Sequence, residues 1–333
     1  MNRRSAARGH GWRSHRWVGL ASVLLGTGSV AHAADPVRAG VGIAEVKSDA
    51  GLLRGYISDG IVTFKGIQYA TAERFMPPKA VAKWEGARLA LTDRVTCPID
   101  ATPLPDHERE FMSEHVYGVE SEDCLRLHVW TPSTEPARKR PVMVWFHGGG
   151  LSTGSSIELP SHEGENLSRT GDVVVVSVNH RLNVLGFLDL SAYGAEYADS
   201  ANVGMQDLVA ALRWVNANIA AFGGDSGNVM IFGESGGGGK VTTLMFAPSA
   251  KALFHKAAIQ SSTAPRLQSQ ADTQLIAARL LAELGLSASE AGQLKTMRYE
   301  RLIDAANAAV RRINASRPAG ALPVAWWPSR DAR

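Results

Sequence analysis

Residues Ile231 to Gly239 read IFGESGGGG, an apolar run entering a glycine-rich turn. Val229-Met230-Ile231-Phe232 supplies a short strand, and Lys240 to Phe246 (KVTTLMF) can continue as a helix. Strand, sharp turn and helix in direct succession point to an α/β chain. Within the turn, Gly233-Glu234-Ser235-Gly236-Gly237 fits G-x-S-x-G, the nucleophile-elbow pattern, in which the turn projects a serine hydroxyl. Glycine on both sides of the serine suits a strained turn that neighbouring chain must approach without Cβ clashes. The pattern alone also fits a phosphate-binding turn or a simple reversal.

Support lies upstream. Pro141 to Gly150 reads PVMVWFHGGG, an apolar strand that ends in HGGG. Such a loop after a strand suits an oxyanion hole, because glycines let backbone N–H donors reach a developing negative oxygen. Removing one such donor costs about 2.7–4 kcal/mol of transition-state stabilisation. Two strand-to-loop motifs of complementary chemistry favour acyl transfer over a flexible loop. A nucleotide site fails, since Gly238-Gly239-Lys240-Val241 lacks the spacing and the Ser/Thr of a P-loop.

The surrounding chain alternates in the same sense. Val41 to Phe64 reads as a β-rich opening with turns at Asp49-Ala50-Gly51 and Ser58-Asp59-Gly60. Thr71 to Glu114 reads as loop and short helix, and the alternation of Leu125, Leu127 and Val129 with polar or aromatic residues as a half-buried strand. Asp172 to Val178 (DVVVVSV) is a strand buried on both faces. Leu208, Ala211, Leu212, Val215 and Ile219 fall at helical spacing, and Phe222-Gly223-Gly224-Asp225 ends that helix. The order predicts a parallel sheet with crossover helices.

Residues 1–33 read as a secretory signal: a basic start (Arg3, Arg4, Arg8, Arg13, Arg16), an uncharged stretch from Trp17 to Val30, and Ala31-His32-Ala33 as a cleavage site. A disordered basic tail is the alternative. The apolar run is short for a membrane span, so no transmembrane anchor is expected in residues 34–333, and export to periplasm or medium is. The chain has 35 basic and 32 acidic residues. The leader holds five of the basic ones and no acid, which leaves 30 against 32, a balance of −2. The basic character belongs to the leader and gives no case for nucleic-acid binding. Cys97 and Cys124 are the two cysteines. An even count in an exported chain suggests a disulfide, with two buried free thiols as the alternative. No histidine cluster accompanies them, so no metal site is expected.

These stretches together resemble the type-B carboxylesterases, the carboxylesterase/cholinesterase/lipase branch of the α/β-hydrolase superfamily. Phe64-Lys65-Gly66-Ile67-Gln68-Tyr69-Ala70 is similar to the family's FRGIPYA, and Arg74-Phe75-Met76-Pro77-Pro78 to RFxPP. Glu122-Asp123-Cys124-Leu125 resembles EDCL, and Asn179-His180-Arg181-Leu182 with Leu185-Gly186-Phe187-Leu188 resembles NYRLGxxGFL. Asn202 to Gly237 is similar almost throughout to the stretch that ends in GESAG, and Lys256 to Ser261 to KAIxQSG. The resemblance implies an α/β-hydrolase fold: a mostly parallel central sheet with helices on both faces. It also implies a carboxylic ester substrate and no cofactor. Ser235 would be the acylated nucleophile, and the N–H groups of Gly149, Gly150 and Gly236 the oxyanion hole. Cys97 and Cys124 match the family's first bridge. His147 would shape the loop by a structural hydrogen bond, with a catalytic role as the alternative, and Glu234 would line the pocket.

Departures from the pattern are a shortened stretch between Ala70 and Arg74, Gly236 for the commoner Ala, and Ser226 for a Pro. A serine nucleophile needs a base and an orienting acid, which in this superfamily follow it in the chain. After Ser235 the only histidine is His255, expected at the surface. Pro323-Val324 stands where a family PVVDG is expected, but Ala325-Trp326-Trp327-Pro328-Ser329-Arg330-Asp331-Ala332-Arg333 follows, with no helical or strand periodicity. The expectation is a C-terminally truncated hydrolase, residues 34–333 being its N-terminal portion, without the triad acid, the base and the C-terminal strands, and therefore impaired. A non-catalytic member, such as the neuroligin-like adhesion proteins, is the alternative.

Overall fold

The computed structural model describes residues 35–92, 95–100, 115–262 and 267–330. The expected leader lies outside them. Among the described residues, eight strands make the central sheet: β1 (Arg38–Ala39), β2 (Tyr56–Ser58), β3 (Ile61–Gln68), β4 (Arg126–Thr131), β5 (Arg140–Phe146), β6 (Val174–Val178), β7 (Gly224–Glu234) and β8 (Lys256–Gln260). Their order across the sheet is β1-β2-β3-β4-β6-β5-β7-β8.

The strands from β6 to β8 pair in parallel, and every earlier neighbour pair is antiparallel. This corrects the expectation of a mostly parallel sheet, for the sheet is mixed. For one of these pairs, β2 and β3, the physical reason is connection length, since a short turn can join only antiparallel strands. Asp59 (φ 45°) and Gly60 (φ 77°) form the two-residue turn between β2 and β3, both left-handed as such hairpins require.

Helices α1 (Glu165–Gly171), α2 (Asn183–Phe187), α3 (Val203–Asn218), α4 (Gly236–Phe246), α5 (Gln270–Leu284) and α6 (Tyr299–Ser316) are the α-helices among the described residues, and Ala288–Lys295 is a longer 3₁₀ stretch. Both faces of the sheet are covered, and strand alternation decides which side chains go where. Val142, Val144, Val174, Val176 and Ile231 join the large core with Leu208, Leu212 and Val215 of α3 and Val241 and Leu244 of α4. Their strand neighbours Trp130 and Val175 face the other way, with Ile61, Val173, Met143 and Leu167 of α1. β4, expected to be half-buried, is therefore buried on both sides, His128 and Trp130 included. β6 is buried throughout, as its β-branched run predicts. Between Thr71 and Asp100 the described residues form short strands at Ala87–Leu89 and Val95–Thr96 and no helix, and the rest of the stretch expected as loop and short helix, residues 101–114, lies outside the described residues.

The two cysteines form the Cys97–Cys124 disulfide with Cα atoms 5.0 Å apart. Arg181 and Asp207 form a buried bidentate pair at 2.7 and 2.8 Å, and the same guanidinium holds the carbonyls of Glu73 and Met76. Burial raises the Asp207 pKa, and the Arg181 charge opposes that shift. After α6 the chain is irregular, as its lack of periodicity predicts. It is nonetheless docked: Val324 and Trp326 are buried, and Ser329 exchanges two hydrogen bonds with Asn202. Among the described residues no helix is long and apolar enough to cross a membrane.

Candidate active site

β7 runs through the middle of the parallel half and stops at Glu234, so its last residue delivers the chain to the edge of the sheet. Ser235 then sits at φ 52°, ψ −119°, a sparsely populated conformation for a residue with a Cβ. It is exposed. Its N–H donates to the carbonyl of Gln260 at the end of β8 (2.9 Å), and its own carbonyl accepts from Gly239 (3.1 Å) as α4 begins. Two backbone bonds therefore hold a turn that local preference disfavours.

The glycines of the elbow are sites of contact, not of slack. A Cβ on Gly237 would lie 2.0 Å from the Phe146 carbonyl oxygen, and one on Gly233 would lie 2.5 Å from the Gly237 carbonyl carbon. One on Gly236 would lie 2.4 Å from Gly150 N. The end of β5, its loop and the start of α4 thus meet backbone to backbone. The HGGG loop turns through Gly149 (φ 76°) and Gly150 (φ 64°), and Thr153 N–H closes it on the Gly149 carbonyl at 3.1 Å. A Cβ on Gly148 would stand 3.3 Å from Glu234 Oε2 and 3.7 Å from the Ser235 Cβ. Gly149 itself backs onto Thr153. The structure therefore brings Ser235, Gly236, Gly150 and the loop containing Gly149 into one place. Helix α4 adds the positive end of its dipole there.

Glu234 lines an open pocket with Trp145, His162 and Phe232. His147 is buried, its Nδ1 sits 3.0 Å from the Gly148 carbonyl, and its ring stacks on His180 at 5.1 Å. Burial, and after it the charge of Lys240, pushes both imidazole pKa values well below the usual histidine range. His147 thus braces the loop as a neutral ring. His255 is exposed at the start of β8, where its N–H donates to the Val229 carbonyl. Val229 precedes Ser235 by six residues, roughly 20 Å along a strand. Among the described residues no histidine is hydrogen-bonded to Ser235.

One participant went unnoticed in the sequence. Lys240 is buried in α4, and its Nζ donates to the His147 carbonyl at 2.8 Å. It points at the loop's backbone, which removes the last feature of the phosphate-binding reading. The signal was available: Gly237 and Lys240 are three apart on a helix, so they share the face that meets β5.

Residues 43–324 match the model of the carboxylesterase family. The chain belongs to that family. It is 38% identical over 266 residues to the para-nitrobenzyl esterase of Bacillus subtilis, covering 79% of this chain and 52% of that protein. It is 44% identical over 206 residues to human carboxylesterase 3, covering 60% of this chain and 34% of that one. Among solved structures, an esterase from Clostridium hathewayi that can hydrolyse aliphatic aromatic polyesters superposes with a TM-score of 0.82 at 47% identity. That match covers 90% of this chain and 59% of the other. The fold is that of the α/β-hydrolase carboxylesterases, and the chain spans about half the length of the first of these relatives.

Proposed function

We propose that this protein is built for acyl transfer from carboxylic esters through an acyl-enzyme on Ser235. The observation that carries the reading is the strained Ser235 turn packed against the HGGG loop, with Gly150 N 2.4 Å from where a Gly236 Cβ would be. In this reading Ser235 Oγ attacks the ester carbonyl, and the oxygen that becomes negative is held by the N–H groups of Gly149, Gly150 and Gly236. The serine proton passes by way of solvent to the departing oxygen, so that collapse of the adduct expels the alcohol and leaves the acyl group on the serine. Water then releases the acid. Preorganised amides stabilise the adduct because they need no reorientation as charge develops. Small-molecule esters are the substrate class, in keeping with the names of the relatives, and export by residues 1–33 is part of the same proposal.

Turnover by this chain is proposed to be impaired, since no described histidine is bonded to Ser235. A site without its base keeps a residual acceleration of about 10³–10⁴ over water from the oxyanion hole and binding. That missing bond also favours the second reading, a non-catalytic member of the family. A p-nitrophenyl acetate assay with Ser235→Ala as control separates them. Slow hydrolysis with labelling of Ser235, both lost in the variant, supports the first reading. No labelling of Ser235 at all supports the second, and full-strength hydrolysis dependent on Ser235 would show that a histidine here does serve as base.

A further inference from the structure

Against the residue from which the HGGG loop departs lies a buried polar group that the acyl-transfer reading does not use. Lys240 Nζ donates to the His147 carbonyl at 2.8 Å, and that carbonyl belongs to the residue from which the loop departs. Lys240 is 1% exposed and Glu158 is 4% exposed. The Glu158 carboxylate lies near enough to favour the lysine's charge, and takes His115 Nδ1 at 3.3 Å on its other side. His147 and His180 stack beside them, each with its Nδ1 against a backbone carbonyl and a buried Nε2 that has no partner. Both rings are held neutral by burial, as is the direction for His162 next to them. The loop thus rests on a cation whose facing groups are one carboxylate and three imidazoles.

A lysine is a costly way to fill such a space, because burying an ammonium carries a large desolvation penalty. Holding the His147 carbonyl alone needs no charge. What a charge adds is a stronger grip, since a hydrogen bond from an ionised donor is roughly twice as strong as a neutral one. The grip falls on a short, glycine-rich loop that side chains cannot pin, because Gly148, Gly149 and Gly150 have none. Lys240 also sits one turn into α4, the helix that begins at Gly236, so it ties two of the elements that contribute oxyanion donors.

We propose that Lys240 is a positioning residue of the oxyanion hole: through the His147 carbonyl it clamps the HGGG loop onto helix α4 and so sets the Gly149 and Gly150 amides against Gly236. This rests on the acyl-transfer reading of Ser235. Burial lowers the Lys240 pKa to about 7, so the clamp changes charge within the neutral range, tight when protonated and weaker when neutral.

The test uses a p-nitrophenyl alkylphosphonate on the full chain. Ser235 Oγ forms a bond to phosphorus, p-nitrophenolate leaves with its electron pair, the serine proton passes to solvent, and the phosphonyl oxygen occupies the hole. Wild type, Lys240→Met and Lys240→Gln are compared from pH 6 to pH 8.5, with the fold checked by circular dichroism. The expected result is slower labelling of Lys240→Met by about 10- to 100-fold, the scale for groups displaced by about 1 Å. Lys240→Gln, which keeps an N–H donor, should recover part of it. The wild-type to Lys240→Met ratio should shrink as pH rises through about 7, which a merely structural role would not produce. In parallel, the Gly149 and Gly150 amide resonances of wild type should titrate with that midpoint, a measurement that needs no variant to fold. Equal labelling of folded Lys240→Met, a pH-independent ratio, or flat amide shifts would each overturn the clamp. Failure of wild type to label at any pH would instead sink the acyl-transfer reading, and the amide titration would still decide the clamp.

Discussion

Ser235 has a neighbour on each side, and the two are built differently. Towards β5, the contact with the HGGG loop is backbone on backbone, with no room for a methyl group on Gly233, Gly236 or Gly237. Towards β8, the strand that receives the Ser235 N–H is largely exposed, and among the described residues it has β7 as its one sheet neighbour. Ile259 is 43% exposed, and Met245 and Phe246 at the end of α4 are 49% and 78% exposed. One side of the serine is therefore shaped by packing and the other by solvent. The half of the site proposed to stabilise negative charge is the packed half. The half that would handle protons has no described histidine bonded to Ser235.

This contrast can be broken by substitution, starting where the packing is tightest. Gly237→Ala places a Cβ 2.0 Å from the Phe146 oxygen, so α4 must shift away from β5. The expected loss is about 3 kcal/mol or more, the upper end for overpacking. Chemical denaturation measures it, and a stability equal to wild type would mean that the contact is softer than its geometry.

The next effect is electrostatic. The Lys240 pKa falls from 10.5 in the unfolded chain to about 7 in the native one. Between those values the unfolded chain binds a proton that the native chain has released, so this residue makes stability rise with pH. Its contribution is complete above 10.5 and is lost as pH falls through 7. Relative to Lys240→Met, wild type should gain about 2–3 kcal/mol between pH 6 and pH 9. A pH-independent difference between the two would show that the lysine stays charged, or that water reaches it.

Moving outward along α4, the same chemistry changes sign. A Cβ on Gly239 meets only Ser262 Oγ at 3.7 Å, an ordinary contact. Gly239→Ala should therefore stabilise the fold by about 0.5–1 kcal/mol through helix propensity and lost chain entropy. Destabilisation there would extend the packed side further along α4 than the structure places it. The smallest effect belongs to the exposed end: Phe246→Ser should change stability by less than about 0.5 kcal/mol and raise solubility, measured by sedimentation. A large loss would show that something covers this residue in solution.

Legibility in the sequence followed the range of the interactions. The buried run of β6, the helical spacing in α3 and the turn at Asp59-Gly60 were all readable because each rests on local periodicity or on a turn's φ requirement. The elbow and the HGGG loop were readable as motifs, and the disulfide as a cysteine pair. β4 was misjudged, because whether Trp130 faces solvent depends on α1, which arrives 35 residues later and covers it. Lys240 is harder to read, because a lysine one turn into a helix ordinarily reaches solvent, and the face it shares with Gly237 tells only once β5 is known to end above it.

What the amino-acid sequence determined by itself was the set of chemical parts and their local shapes. It specified a serine on a glycine-flanked turn, a run of bare amides after an apolar strand, and the strands and helices that carry them, because short-range sterics and hydrophobic period act within a few residues. Only the tertiary structure decided how those parts meet. It set Gly150 against Gly236, drew Lys240 under the His147 carbonyl, put His255 at the wrong end of β8 to serve Ser235, and made the sheet mixed. Those outcomes depend on contacts between residues tens of positions apart, where burial and backbone hydrogen bonding select one arrangement that no local pattern encodes.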